Sequence, residues 1–243
     1  MLDPTDPPDP PQAHPDETLR QEILAQLLPE AAFDGFTEAT LERAARAAGL
    51  DQADLKNGLL RRLFPRGVAD ALRFWSEEED RRMAEAFRDL NPKPQGLTKK
   101  ITWLIRNRIE ALDWNREAAR RAAATLALPH NGTLGASLIW QTADAMWRAA
   151  EDKSTDFNWY TKRFSLSAIY GSTLSRWFAD QGDAAGAEPY EATWAFLDDR
   201  IGDLMRFEKA KAQAMKAAPN PEAIAGFLGK LRYPGGGPRG GRP

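Results

Sequence analysis

Apolar residues recur at three- and four-residue steps from Thr18 onward, and no stretch alternates at the period of two that a half-buried strand requires. Valine, the commonest strand former, occurs once, at Val68. The pattern predicts an all-α chain with helices at about 18–28, 37–48, 51–63, 68–90, 97–112, 115–127, 133–150, 155–179, 188–217 and 221–233. Breakers separate them: Pro29, Gly49, Phe64-Pro65-Arg66-Gly67, Asn91-Pro92-Lys93-Pro94, Leu128-Pro129-His130-Asn131-Gly132 and Pro219-Asn220-Pro221. Residues 1–16 carry six prolines among aspartates, and 234–243 consist of Gly, Pro and Arg. Neither end can bury a core, so both are expected to be disordered tails. Between them lie a front part (17–90), a main helical part (91–218) and a short last helix (219–233).

Three helices of the main part carry the large apolar residues. The helix over 133–150 lines up Trp140, Asp144 and Trp147 at i, i+4, i+7. The helix over 155–179 is apolar or small on nearly every face, with Phe157, Phe164, Leu166, Ile169, Tyr170, Leu174, Trp177 and Phe178, which predicts a central, buried helix. The helix over 188–217 adds Trp194, Phe196, Leu197, Ile201, Leu204, Met205 and Phe207. Gly171 and the serines Ser165, Ser167, Ser172 and Ser175 leave room beside these groups. Two packings follow from the pattern: a closely filled helical core, or a cavity for a large apolar ligand walled by Trp140, Trp147, Phe164, Tyr170, Trp194 and Met205.

Composition removes most catalytic chemistry. The 243 residues suffice for a real core, and the net charge of −2 argues against nonspecific attraction to nucleic acid. There is no cysteine, hence no disulfide, thiolate nucleophile or zinc–thiolate site. Of the two histidines, His14 lies in the tail and His130 in a Pro-Asn-Gly turn, which leaves no base for a Ser/His/Asp arrangement. No Glu-x-x-His pair suggests a di-iron centre, and Gly235-Gly236-Gly237 opens no helix that could cradle phosphate. Asp198-Asp199 reads as a solvated helix face rather than an acid–base pair. The expectation is a non-enzymatic protein with neither catalytic residues, metal nor cofactor. No apolar run reaches membrane-spanning length, and the Pro- and Asp-rich start resembles neither a secretory signal nor an Arg-rich transit peptide.

The front part resembles the N-terminal half of TetR-type repressors, at Phe33-Asp34-Gly35-Phe36-Thr37, Ala44-Ala45-Arg46-Ala47-Ala48-Gly49-Leu50 and Leu63-Phe64-Pro65-Arg66-Gly67. That resemblance implies a helix-turn-helix whose second helix enters the major groove. The charge opposes this use. Residues 18–90 hold 11 bases against 14 acids, and the would-be recognition helix offers Asp51 and Asp54 in its early turns. DNA binders depend on excess Lys and Arg at phosphates. The fold expectation is therefore a TetR-like helical scaffold without DNA use, and a TetR-like transcriptional regulator is the alternative.

One stretch, Ser154-Thr155-Asp156-Phe157-Asn158-Trp159-Tyr160-Thr161-Lys162-Arg163, combines three N-cap types, three aromatics and two bases. By pattern it is either a capped core helix or a docking site. Together with Leu128-Pro129-His130-Asn131, Trp140-x-x-x-Asp144-x-Met146-Trp147 and Glu191-Ala192-Thr193-Trp194-Ala195-Phe196-Leu197-Asp198-Asp199-Arg200-Ile201, it resembles the Coq-nine family over roughly residues 18–218. These are lipid-binding accessory proteins of ubiquinone biosynthesis, and the lack of a transit peptide points to an alphaproteobacterial member. The resemblance implies a TetR-like fold that binds an isoprenoid quinone or a phospholipid in an apolar cavity. It further implies presentation of the quinone precursor to the demethoxyubiquinone hydroxylase, a homodimer, and a cytoplasmic protein held peripherally at the inner membrane. Matched residue by residue, it assigns a lipid or partner patch to Met146, Asp156, Trp159, Tyr160 and Arg163, with Phe157 and Phe164 turned inward.

The last helix has its own argument. Ile224, Phe227, Leu228 and Leu231 form one apolar stripe, with Lys230 and Arg232 beside it and Glu222 the only acid of the tail. Such a helix suits an in-plane site on an anionic membrane surface, or packing against protein. A third reading, an assembly factor without a ligand, requires the cavity to be filled by the chain's own side chains. At low salt, where even weak electrostatic binders retain DNA, gel shifts with this chain are expected to show no complex; a retarded band establishes the regulator alternative.

Overall fold

The structure is a computed structural model that describes residues 15–151, 157–182 and 189–217. It is all-α. The helices are α1 (Pro15–Asp34), α2 (Glu38–Ala47), α3 (Gln52–Lys56), α4 (Leu59–Leu63), α5 (Val68–Asp89), α6 (Leu97–Glu110), α7 (Arg116–Leu126), α8 (Gly132–Ala149), α9 (Phe157–Ala179) and α10 (Glu191–Ala217), with a 3-10 turn at Asp113–Asn115. No strand occurs among the described residues. The chain divides into two compact units, Met1–Asp199 and Arg200–Pro243, and α10 contributes to both. The described part of the second unit is 200–217, where Asp203 pairs with Arg200 at 2.8 Å and also with Arg206. The predicted last helix, and the Ser154-Thr155-Asp156 cap, lie outside the described residues.

Helix boundaries follow the expected punctuation with two differences. α1 does not stop at residue 28 but runs through Pro29 to Asp34. Ile23, Leu27 and Ala31, spaced by four, are all fully buried, so the packed face carries the helix past the proline's lost hydrogen bond. The predicted helix over 51–63 is broken in two, because Gly58 adopts φ 77°, a left-handed conformation that ends one helix and begins the next. What remains of the would-be recognition helix is the five residues of α3, and Asp51 and Asp54 are spent on its own cap, with Asp51 Oδ1 accepting from Ala53 N at 2.7 Å.

Within the first unit α8 is central, packing on α5, α6, α7 and α9, while α9 lies against α8 and α6. This corrects the expectation that α9 is buried on all sides: Tyr160 is 63% exposed and Phe164 70%. Only one broad face of α9, with Leu166, Ile169, Tyr170 and Trp177, turns into the core.

α5 carries an unusual load of buried acid, with Glu78, Glu79 and Asp80 all inside. Each has an arginine partner: Arg81 for Glu78 at 2.7 Å, Arg82 for Glu79 at 2.8 Å and Arg108 for Asp80 at 2.7 Å. The last pair differs from the others because Arg108 is itself 3% exposed. Thr142 on α8 completes it, donating its hydroxyl to Asp80 at 3.0 Å. Asp80→Ala leaves a buried guanidinium without its counter-charge and is expected to cost about 3–5 kcal/mol. The exposed pair Arg88–Asp89 provides the control, with less than about 1 kcal/mol lost on Asp89→Ala. Urea unfolding measures both.

Candidate functional site

The first unit contains a cavity of about 530 Å³ between α5, α6, α7, α8 and α9. Its walls are mainly aliphatic or small: Leu72 and Trp75 from α5, Ala119, Ala122, Ala123 and Leu126 from α7, Gly135, Ala136, Leu138 and Ile139 from α8, and Gly171, Leu174 and Phe178 from α9. The space exists because two helices meet through their small residues. α7 presents alanines on the inner face, and Gly135 brings α8 so close that a Cβ there would lie 3.1 Å from the Leu126 carbonyl oxygen. Nothing in that wall is long enough to fill the gap.

The far wall is fixed from α7. Arg116 Nη2 donates to the Trp177 carbonyl at 2.7 Å and Arg120 Nη2 to the Phe178 carbonyl at 2.8 Å, so two cations close the C-terminal end of α9. The Arg116 guanidinium also lies over the rings of Trp177 and Tyr190, 4.7 and 4.8 Å from their centroids. These contacts hold Leu174 and Phe178 opposite the α7 alanines.

The cavity has two unlike ends. Ala127, Gly132, Ala136 and Ser175 are exposed and form its mouth. Ser76, Glu79, Arg108, Thr142 and Tyr170, all buried except the half-buried Ser76, add polar groups to the deep wall. Arg108 gives Nε to Asp80 and reaches Ser76 with Nη2 at 3.4 Å. Burial pushes the Asp80 carboxyl up, against the pull of Arg108 and the Thr142 hydroxyl. Burial also holds the Tyr170 phenol above its ordinary range, so it remains a neutral donor. No histidine is among the lining residues, and His130 is exposed on the turn before α8.

A second constellation joins α8 to α9. Arg163 is 3% exposed and ion-paired with Asp144, which also takes Arg148 at 2.7 Å. Lys162 Nζ sits 5.2 Å from the centroid of the Trp147 ring.

The sequence model of the COQ9 family matches residues 133–208, which span α8, α9 and the first part of α10. The human ubiquinone biosynthesis protein COQ9, mitochondrial, is 31% identical over 197 residues, 78% of this chain and 58% of the human protein. The chain carries a COQ9 family domain. The Schizosaccharomyces pombe protein of that name is 28% identical over 182 residues, 74% of this chain and 67% of the yeast protein. The Rattus norvegicus protein is 44% identical over 85 residues, 35% of this chain and 26% of its own length. The chain spans 58% of the length of the human and bovine relatives.

In this chain with its COQ9 domain, of the six residues expected to wall the cavity, only Tyr170 does. Phe164 points to solvent instead of inward, because its place on α9 lies away from α8. Trp147 is buried beneath Lys162, and Trp140 is half-buried off the cavity face of α8. Trp194 packs edge-on against Tyr190 with its Nε1 on the Pro189 carbonyl, and Met205, in the other compact unit, is 49% exposed. Of the patch, Tyr160 is on the surface, whereas Met146 is fully buried and Arg163 is locked to Asp144 inside. Met146 shares the inner face of α8 with Leu138 and Thr142, which is why it cannot form a surface patch. Asp156, Ile224, Phe227, Leu228, Lys230 and Leu231 lie outside the described residues, as does the side chain of Trp159. The alanines of α7 went unrecognised because alanine is the default helix former. Their spacing, with Ala119, Ala122, Ala123 and Leu126 on one stripe, was the available signal. Tyr160→Ala is expected to leave stability within about 0.5 kcal/mol, while Arg163→Ala costs about 1.5–3 kcal/mol by uncovering Asp144; thermal unfolding separates the two.

Proposed function

We propose that this chain serves ubiquinone biosynthesis without catalysing a step, by holding an isoprenoid quinone precursor in the cavity and presenting it to the demethoxyubiquinone hydroxylase at a membrane surface. One observation carries this reading: an apolar cavity of about 530 Å³, open at one end, inside a chain whose relatives are named ubiquinone biosynthesis proteins. The volume falls in the range of about 300–1,000 Å³ typical of sites for small organic ligands. A long polyprenyl chain exceeds it, so part of the ligand stays outside, past Ala136 and Ser175. Each methylene-sized group drawn in from water contributes about 0.8 kcal/mol, enough for a few isoprene units to hold the lipid. Exposed Tyr160 and Phe164, one turn apart on α9, supply an apolar surface for the hydroxylase. No described helix is long and apolar enough to cross a membrane, so contact with lipid is assigned to the surface, with Ile224, Phe227, Leu228, Lys230 and Leu231 as its proposed residues.

Lipid extraction or native mass spectrometry of the purified chain is expected to recover an isoprenoid quinone or a related long-chain lipid. Ala136→Trp, placed at the exposed mouth, is expected to lower the bound fraction at least about 10-fold with the helical fold intact. A protein that is empty as purified and ignores added quinone removes the reading.

A further inference from the structure

The deep end of the cavity gathers polar groups from α5, α6, α8 and α9, and their hydrogen-bonding capacity is incompletely used. Arg108 is 3% exposed and lines the cavity. Its Nε is committed to Asp80 at 2.7 Å, and its Nη2 reaches Ser76 at 3.4 Å, a long contact. Its Nη1 is buried with no hydrogen-bond partner. A buried guanidinium N–H without an acceptor costs on the order of a few kcal/mol, which is why such groups are almost always satisfied. Tyr170, also 3% exposed, stands in the same wall within electrostatic reach of Arg108, and its hydroxyl forms no hydrogen bond with another described residue. Two donors thus stand in one wall of a mainly apolar cavity, beside Ser76, Glu79 and Thr142.

The charges around this pole nearly cancel. Arg108 is balanced by Asp80, and Glu79, the other acid in the wall, is paired with Arg82 at 2.8 Å. A carboxylate or phosphate brought to this depth would bring a new charge to a balanced, desolvated set, with Glu79 in the same wall. A neutral oxygen would not. It can accept from Tyr170 and Arg108 without adding charge, as a quinone carbonyl or a phenol oxygen does.

We propose that Tyr170 and Arg108 form an acceptor-seeking pole that draws the oxygenated ring of a neutral prenylated quinone or phenol into the deep end, with the isoprenoid tail directed to the mouth at Ala127, Gly132, Ala136 and Ser175. The inference rests on the cavity being the lipid site, as proposed above. It adds the orientation of the ligand and the discrimination against acidic lipids. Tyr170 acts by donating to the ligand, and Arg108 both donates and is held in place by Asp80 and Thr142. The ring is thereby kept from water until it is withdrawn.

Displacement of the neutral fluorescent probe N-phenyl-1-naphthylamine from the full chain tests this. Three competitors of similar length are compared: a benzoquinone carrying two isoprene units, a saturated branched hydrocarbon and a fatty acid. The wild-type chain is expected to bind the quinone about 3- to 10-fold more tightly than the hydrocarbon, the gain of roughly one well-made hydrogen bond, and the fatty acid no better than the hydrocarbon. Tyr170→Phe keeps the ring and removes a hydroxyl that no described residue uses, so it preserves the fold. It is expected to abolish most of the quinone preference while leaving the hydrocarbon unchanged. Equal weakening of quinone and hydrocarbon would mean that Tyr170 acts by packing, and an unaltered preference would mean that its hydroxyl is not engaged; either overturns the inference and leaves the lipid-carrier reading standing. A fatty acid that outcompetes the quinone overturns it as well. If neither quinone nor hydrocarbon displaces the probe from the wild-type chain, the lipid-carrier reading itself fails and this inference falls with it.

Discussion

A guanidinium shut away from water must keep its counter-charge beside it, and in this chain that requirement joins three helices. Arg108 on α6 reaches Asp80 on α5, and Thr142 on α8 donates to the same carboxylate. α5, α6 and α8 are therefore held at separations set by hydrogen-bond lengths rather than by how far apolar side chains can collapse. Breaking such a pair strands a charge in a medium of low polarity, where the penalty is several kcal/mol. A hydrophobic contact can slide by an ångström at little cost; this one cannot. The cavity borders that fixed frame, and Arg108 serves both as a strut and as part of its wall.

The opposite side of the cavity depends on restraint of another kind. α7 and α8 meet through alanines and Gly135, and the cations Arg116 and Arg120 close the end of α9 against them. Close-packed interiors normally leave no gap of this size. Here the short side chains cannot reach across, and the polar struts and carbonyl caps on the other walls keep the helices from closing. The result is space with an aliphatic lining, an exposed mouth and a polar deep end. An amphiphile with a neutral head fits that division. The assembly-factor reading required a filled interior, and the cavity does not provide one.

Much of the fold was legible from local signals. Thr37 caps α2, with Thr40 completing a reciprocal capping pair, and Gly49, Pro65 and the Asn91-Pro92-Lys93-Pro94 turn each fell between helices as their residue types predict. The two misplaced boundaries had non-local or conformational causes: a buried face that carries α1 through Pro29, and a left-handed glycine that divides 51–63. The site was much less legible. Large aromatics at helical spacing drew attention to Trp140, Trp147 and Phe164, yet which side of α8 or α9 faces the cavity depends on helices far away in sequence. Phe164 ended outside, and the small residues of α7 ended inside.

By itself the sequence determined that the chain is helical, where most helices begin and end, that it holds no cysteine, and that it resembles the Coq-nine family. Those properties follow from neighbours within one or two turns, or from composition and motif. Only the tertiary structure decided that Arg108 meets Asp80 across 28 positions and Thr142 meets Asp80 across 62. It also decided that the face bearing Ala122 and Gly135 bounds a space while the face bearing Trp140 does not. A cavity belongs to no segment. It is the volume left where several helices are prevented from meeting, so it appears only when all of them are in place.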